Sequence, residues 1–201
     1  MKTSECVGCI DFPCLDVNHD VYMVPGVEIE PDKISMILIS EAAPSDPKDY
    51  YYAPGTPLFQ QTTVLAFQDA GASANSIQDL LDLGIYLTTA IKCGKTGYGI
   101  QKKTIEACSI ILEKELAFFT NVKAFLLMGD VAIQSVNHIS RRAGEGRVIP
   151  AGSTYKIRGQ DYYFRGRRAF PSYLQAGPSF FIEKSKRKMI AEDIATALKL
   201  I

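Results

Sequence analysis

Three short apolar runs constrain this chain more than any other feature. They are "KISMILIS" (Lys33–Ser40), "IYLTTAIK" (Ile85–Lys92) and "AFLLMG" (Ala124–Gly129). Each is too short for a buried helix and rich in β-branched or large apolar residues, so each reads as a buried strand. Helical patterns alternate with them. In "KKTIEACSIILEKELAFFTN", Ile105, Cys108, Ile111, Leu112, Leu116 and Phe119 recur every three or four residues and make one apolar face. "TTVLAFQDAG" and "NSIQDLLDLG" are predicted helices closed by Gly71 and Gly84, the second capped at Asn75 or Ser76. "DVAIQSVNHISRRAG" follows the third strand, with Asp130 near its positive end. "STYKIRGQDYYFRGRRAF" reads as a hairpin with a last short strand, and "FFIEKSKRKMIAEDIATALKLI" as a closing amphipathic helix. Strands alternating with helices specify a parallel sheet covered on both faces.

In such a sheet, ligands bind beyond the carboxyl ends of the strands. The loops after Ser40, Lys92, Gly129 and Phe170 are therefore expected on one rim, with Glu41, Cys93 and the Arg-rich segment on the same side. The stretch "EAAPSDPKDYYYAPGTP" after the first strand holds four prolines and one glycine, the composition of a long loop. At 201 residues, one domain spanning 1–201 is expected. No apolar run reaches the roughly 18 residues of a membrane span. The opening "MKTSECVGCIDFPC" lacks the apolar core of a signal peptide, so a cytoplasmic, monomeric protein is expected.

Charge is divided along the chain. Residues 1–140 carry 9 Lys/Arg against 17 Asp/Glu, and residues 141–201 carry 13 against 5. Arg165, Arg167, Arg168 and the run "KSKRK" at 184–188 concentrate the positive half, as a surface for a polyanion would.

The chain has five cysteines. Cys6 and Cys9 form a C-x2-C turn; Cys93 and Cys108 stand across a Gly-rich loop and the start of a helix; Cys14 is a fifth, close enough to compete. Four thiolates suit zinc or an iron–sulfur cluster, and the wide second pair fits the larger centre at least as well. Cys108 also lies on an apolar helix face, where a cysteine can serve as plain core.

Several segments, in order, resemble the iron–sulfur uracil-DNA glycosylases. They are "CVGC", "ISEAAPS" against Gly-Glu-Ala-Pro-Gly, "GTPLFQ" against Gly-x-Pro-Phe-Val-Gly, "LTTAIKC", "IEACSIILEKEL", "LLMGDVA", and "FPSYL" against His-Pro-Ser-Tyr-Leu. The resemblance runs from Cys6 to Leu174. It implies a three-layer α/β/α fold with a short central parallel four-stranded sheet. It implies a [4Fe–4S] cluster on Cys6, Cys9, Cys93 and Cys108, with zinc as the alternative, and DNA as partner. It places Glu41 as the catalytic carboxylate, with Asp46 and Asp49 as nearby substitutes. Leu58, Thr89, Phe170 and Tyr50 would shape a base pocket, with Tyr51 and Tyr52 beside them. Ser172 would meet a phosphate, Tyr173 and Leu174 would wedge the duplex, and Arg167 and Arg168 would attract its backbone.

The sequence also departs from the family. Thr89 stands where the family has a base-reading asparagine, and a hydroxyl cannot give the two-atom readout of an amide. Leu58 replaces a stacking phenylalanine, and Phe170 replaces a histidine that donates to the leaving base. His19 and His138 lie in no matching motif. The expected function is a DNA base-excision glycosylase of altered or weak base specificity. The alternatives are a non-catalytic nucleic-acid-binding iron–sulfur protein and a hydrolase of small nucleosides.

Overall fold

A computed structural model describes all residues, 1–201. Its sheet has six strands: β1 (Val17–Tyr22), β2 (Met36–Ala43), β3 (Ile85–Lys95), β4 (Ala124–Met128), β5 (Tyr162–Phe164) and β6 (Arg167–Ser172), in the order β1-β3-β2-β4-β6-β5. The four inner strands β3, β2, β4 and β6 run parallel, as expected. Two antiparallel edge strands extend them, β1 on β3 and β5 on β6. The hairpin of β5 and β6 turns through Arg165 and Gly166, whose φ values of 52° and 75° are both positive. Strand β1 has no signature of its own, because "VNHDVY" is largely polar and becomes a strand only against the edge of β3.

Seven helices flank the sheet: α1 (Leu58–Asp69), α2 (Ile77–Asp82), α3 (Lys102–Leu116), α4 (Asp130–Arg142), α5 (Thr154–Ile157), α6 (Ser179–Ile182) and α7 (Lys184–Leu198). Alternation along the strands sorts the core into two faces. Ile37, Ile39, Phe125 and Leu127 meet Ile105 and Leu112 of α3 and Val136 and Ile139 of α4. Met36, Leu38, Leu126 and Met128 meet Phe67 of α1, Leu80 of α2, and Ile190 and Ile194 of α7. The result is the expected α/β/α sandwich. Ser76 caps α2 through a reciprocal box with Asp79. The closing helix is broken at Glu183 into α6 and α7. No helix is long and apolar enough to cross a membrane.

One polar cluster crosses the α3 face of the core. Lys92 of β3 and Glu115 of α3 form an ion pair with both side chains at 0% exposure. The remaining valences are satisfied. Lys92 Nζ also donates to Thr88 Oγ1 and to the Thr89 carbonyl, both at 2.7 Å. Glu115 Oε1 accepts from Tyr86 Oη at 2.7 Å and from Thr88 Oγ1 at 2.9 Å. Tyr86 Oη in turn meets Thr3 Oγ1 at 2.8 Å, which fastens the N-terminal segment to the same network. A buried pair is tolerated only when so completed, and removing one partner strands the other charge. Lys92→Met is therefore expected to lower unfolding free energy by about 3–5 kcal/mol. Adding Glu115→Leu should recover much of that loss; urea denaturation of both variants measures it.

Candidate functional site

A cleft of about 590 Å³ opens at the carboxyl ends of β2 and β3. Glu41, Asp49 and Leu58 line one side; Lys95 and Tyr98 come from the end of β3 and the loop after it; Leu174 faces them from the loop after β6. The rim expected from a parallel sheet is thus present for three of its loops.

Glu41 is held from two directions. Its Oε1 accepts the Asp130 backbone N–H at 3.1 Å, at the first turn of α4. Its Oε2 lies 3.6 Å from Lys95 Nζ. The positive end of a helix stabilises a carboxylate by about 0.3–1 kcal/mol at an exposed site. Gly129 makes this approach possible. Its φ is 98°, and a Cβ placed there would stand 2.6 Å from Glu41 Oε1. Of the nearby acids, Asp49 lines the cleft and accepts the Leu58 N–H at 3.4 Å. Asp46 is exposed and caps a short turn by accepting from Lys48 N–H at 2.9 Å.

The other residues expected in a base pocket are beneath the surface. Thr89 and Phe170 are buried, at 0% and 7% exposure, and neither lines the cleft. Phe170 belongs to the α7 side of the core, with the Arg168 guanidinium 4.7 Å from its ring centre. Tyr50 is buried with its hydroxyl beside that of Thr89, and neither hydroxyl finds a partner elsewhere. Burial, with Glu115 nearby, holds the Tyr50 phenol well above its ordinary pKa. Tyr51 Oη donates to Ser40 Oγ at 2.8 Å and accepts from Gln175 Nε2 at 2.9 Å. Tyr52 Oη donates to the Leu87 carbonyl at 2.9 Å. The tyrosine run thus anchors its loop to the sheet; none of the three lines this cleft.

The residues expected to hold DNA divide. Leu174 lines the cleft, and Tyr173 is half-buried beside it under Lys186, whose Nζ lies 5.5 Å from the ring centre. Ser172 is fully buried and donates to Asp193 Oδ2 at 2.6 Å, so its hydroxyl is not offered to a phosphate. Burial raises the Asp193 pKa, while the Ser172 and Arg158 hydrogen bonds oppose that. Arg167 and Arg168 lie at the opposite end of β6. Arg168 pairs with Asp161 at 2.8 Å, and Arg167 donates to the Thr120 carbonyl at 2.8 Å. Arg165 pairs with Glu113. Placing the Arg-rich segment on the Glu41 rim was incorrect, because a strand carries its two ends to opposite edges of a sheet.

A second cavity, of about 240 Å³, lies on the other side of β3's end. Cys9, Cys14, Cys93 and Cys108 all line it. Strand β1 brings the N-terminal segment there by setting Tyr22 opposite Cys93. Asp16 fixes the segment further, accepting the Gln101 N–H at 2.6 Å and the Thr104 hydroxyl. Cys6 is exposed, its Sγ 3.5 Å from the Lys2 carbonyl oxygen, and does not line the cavity. The pair from the N-terminus that reaches the cavity is therefore Cys9 and Cys14, not Cys6 and Cys9. Burial and the neighbouring thiols push Cys93 up to about 12; burial pushes Cys108 up to about 11 against the opposing Lys92 N–H, which donates to its sulfur at 3.3 Å. No group of three or more His, Cys, Asp or Glu side chains is assembled to hold a metal ion.

No family model matches this chain. No curated protein matches it either. Among solved structures, the wild-type UNG from Nitratifractor salsuginis is similar at 12% identity, over 88% of this chain and 81% of that one, with a TM-score of 0.44. At that level the likeness carries nothing about residues or chemistry, and the site rests on its own geometry.

That geometry contains two residues the motifs did not flag. Lys95, the partner of Glu41, ends β3 two residues after Cys93. Tyr98 is fully exposed on the cleft's edge, between Gly97 and Gly99. An aromatic between two glycines in "KTGYG" was the available signal. His138 sits away from the cleft in a groove with Arg141 and Arg147, where burial lowers its pKa. The fixing of Glu41 is testable through Gly129. Gly129→Ala is expected to cost about 1–3 kcal/mol from backbone strain. It should also displace the Glu41 carboxylate, seen in denaturant unfolding together with a crystal structure of the variant.

Proposed function

We propose that this chain is a DNA base-excision glycosylase that hydrolyses an N-glycosidic bond in the Glu41 cleft. The observation that carries the reading is a carboxylate fixed by a helix N-terminus and a lysine, in a cleft with Leu58 on one wall and Leu174 opposite. A base enters such a cleft only after leaving the stack. In this reading Leu174 fills the gap, Tyr98 stacks, and Leu58 walls the base. Cleavage develops positive charge on the sugar and negative charge on the departing base. Glu41 answers the first charge and takes a proton from the attacking water. The water oxygen bonds to C1′, and the C1′–N electron pair leaves with the base. Lys95 offers positive charge to the departing base or to a flanking phosphate. With Thr89 and Phe170 buried, the amide and imidazole readout of uracil is not reproduced, so a base other than uracil is the favoured substrate.

Electrostatic attraction would come from the start of α7. Lys184 and Lys188 are exposed and carry no ion pair, close behind the Gly177–Pro178–Ser179 turn that lines the cleft. We read the thiol-lined cavity as the place where a [4Fe–4S] cluster would bind, with zinc as the alternative. Its thiols are chemically apt donors, and His19 Nε2 is a buried polar atom without a partner in a wall that is otherwise mostly apolar. Such a cluster would contribute by tying the N-terminal segment to β3 and α3.

The test is release of free base from a panel of oligonucleotides, each with one altered base, uracil included. Glu41→Gln is expected to lower the rate by about 10²–10⁴-fold on whichever lesion is cleaved. Cleavage of no lesion, or an unimpaired Glu41→Gln variant, would overturn the reading. Binding should weaken with salt, and Lys184→Ala and Lys188→Ala should each reduce the salt slope by about 1. The burial of Thr89 and Phe170 favours one rival, a nucleic-acid-binding protein without excision. Salt-dependent binding with no base released would point there.

A further inference from the structure

The cysteine cavity permits a sharper assignment than a thiolate centre of unspecified ligands. We infer that the centre is held by Cys9, Cys14, Cys93 and Cys108, and that Cys6 of the C-x2-C pair is not a ligand. The inference rests on the cofactor reading above and is independent of glycosylase activity.

Four observations point to this set. All four sulfur-bearing residues line the same cavity, from three separate pieces of chain: Cys9 and Cys14 from the N-terminal segment, Cys93 from β3 and Cys108 from α3. Cys6 is exposed and lines no part of it. The loop between Cys9 and Cys14 is shaped for the task. Phe12 adopts a left-handed φ of 42°, which non-glycine residues rarely do, and such strain persists only where surroundings enforce it. Its ring centre lies 5.2 Å from those of His19 and Tyr22, and Cys14, two residues on, lines the wall. Finally, the cavity already holds hydrogen-bond donors of the kind that surround metal-bound sulfur. Lys92 N–H donates to Cys108 Sγ at 3.3 Å, and the ring of His19 lines the cavity with Nε2 unpartnered.

Spacing alone favours Cys6 with Cys9, since a two-residue gap is the familiar way to aim two sulfurs at one centre. Here the two N-terminal cysteines that line the cavity are separated by four residues, Ile-Asp-Phe-Pro, with Phe12 in a left-handed conformation.

The experiment compares Cys6→Ser with Cys14→Ser, each purified anaerobically as the full chain. Iron, sulfide and zinc content and visible absorbance are measured, with far-ultraviolet circular dichroism to monitor folding. Cys6→Ser is expected to keep the wild-type metal content and spectrum, and Cys14→Ser to lose them. Metal loss in Cys6→Ser, or wild-type content in Cys14→Ser, would overturn the assignment, as would a wild-type protein holding neither iron nor zinc. Stoichiometric zinc with the same variant pattern would uphold the ligand set and remove the cluster. Should Cys14→Ser fail to fold, wild-type protein decides. Brief alkylation of the metal-loaded chain followed by peptide mass mapping should label Cys6 alone; protection of Cys6, or labelling of Cys14, would overturn the assignment.

Discussion

The ion pair between Lys92 and Glu115 is the interaction around which the rest is arranged. It lies inside the α3 face of the core at zero exposure, and every neighbour of the two charges serves to complete it. A buried pair is weak as a source of stability and strong as a specifier, because any other register of β3 against α3 leaves a naked charge. That register sets where Cys108 stands relative to Cys93, and how far β3 runs before Lys95 leaves the sheet. Thr3, reached through Tyr86, brings the N-terminal segment under the same control.

The inner sheet was legible in the sequence because its strands are apolar on both faces. Met36 to Ile39 and Ala124 to Met128 have no polar residue to confuse the reading, and α3 announces itself through a single apolar face. Strand β1 was not legible. Its residues have no pattern of their own, and its existence depends on a partner nearly 80 positions away. The hairpin strand shows a second limit. Arg167 and Ser172 are near in sequence, yet five rises of about 3.3 Å put them about 17 Å apart, at opposite ends of β6. Proximity in a motif therefore said nothing about which rim each residue joins. Pro171 is accommodated because β5 covers β6 only as far as Ala169, leaving the Pro171 edge unpaired.

The candidate site shows the same division. Glu41 and Leu174 were found on the cleft: Glu41 stands two residues before the end of β2 and Leu174 two residues past the end of β6, where parallel sheets open. Phe170 and Thr89 were not, since both belong to strand interiors whose side chains the sequence could not aim. The tyrosine run was ambiguous for a chemical reason. A phenol suits a pocket wall and a buried anchor equally, and only the hydrogen bonds of Tyr51 and Tyr52 to the sheet decide. Cys14 was visible as a residue; what the sequence hid was the left-handed backbone at Phe12 just before it.

Between the cysteine cavity and the Glu41 cleft there is one residue, Gly94. A Cβ there would stand 2.8 Å from the Val21 side chain and 3.1 Å from the Pro44 carbonyl, so the backbone passes through a slot with no slack. Cys93 and Lys95 are thereby carried on one stretch of β3 whose course is fixed by packing on both sides of Gly94. The backbone that Val21 and Pro44 clasp at Gly94 is therefore a wall common to both chambers, and a side chain added there would have to displace that wall on both sides at once.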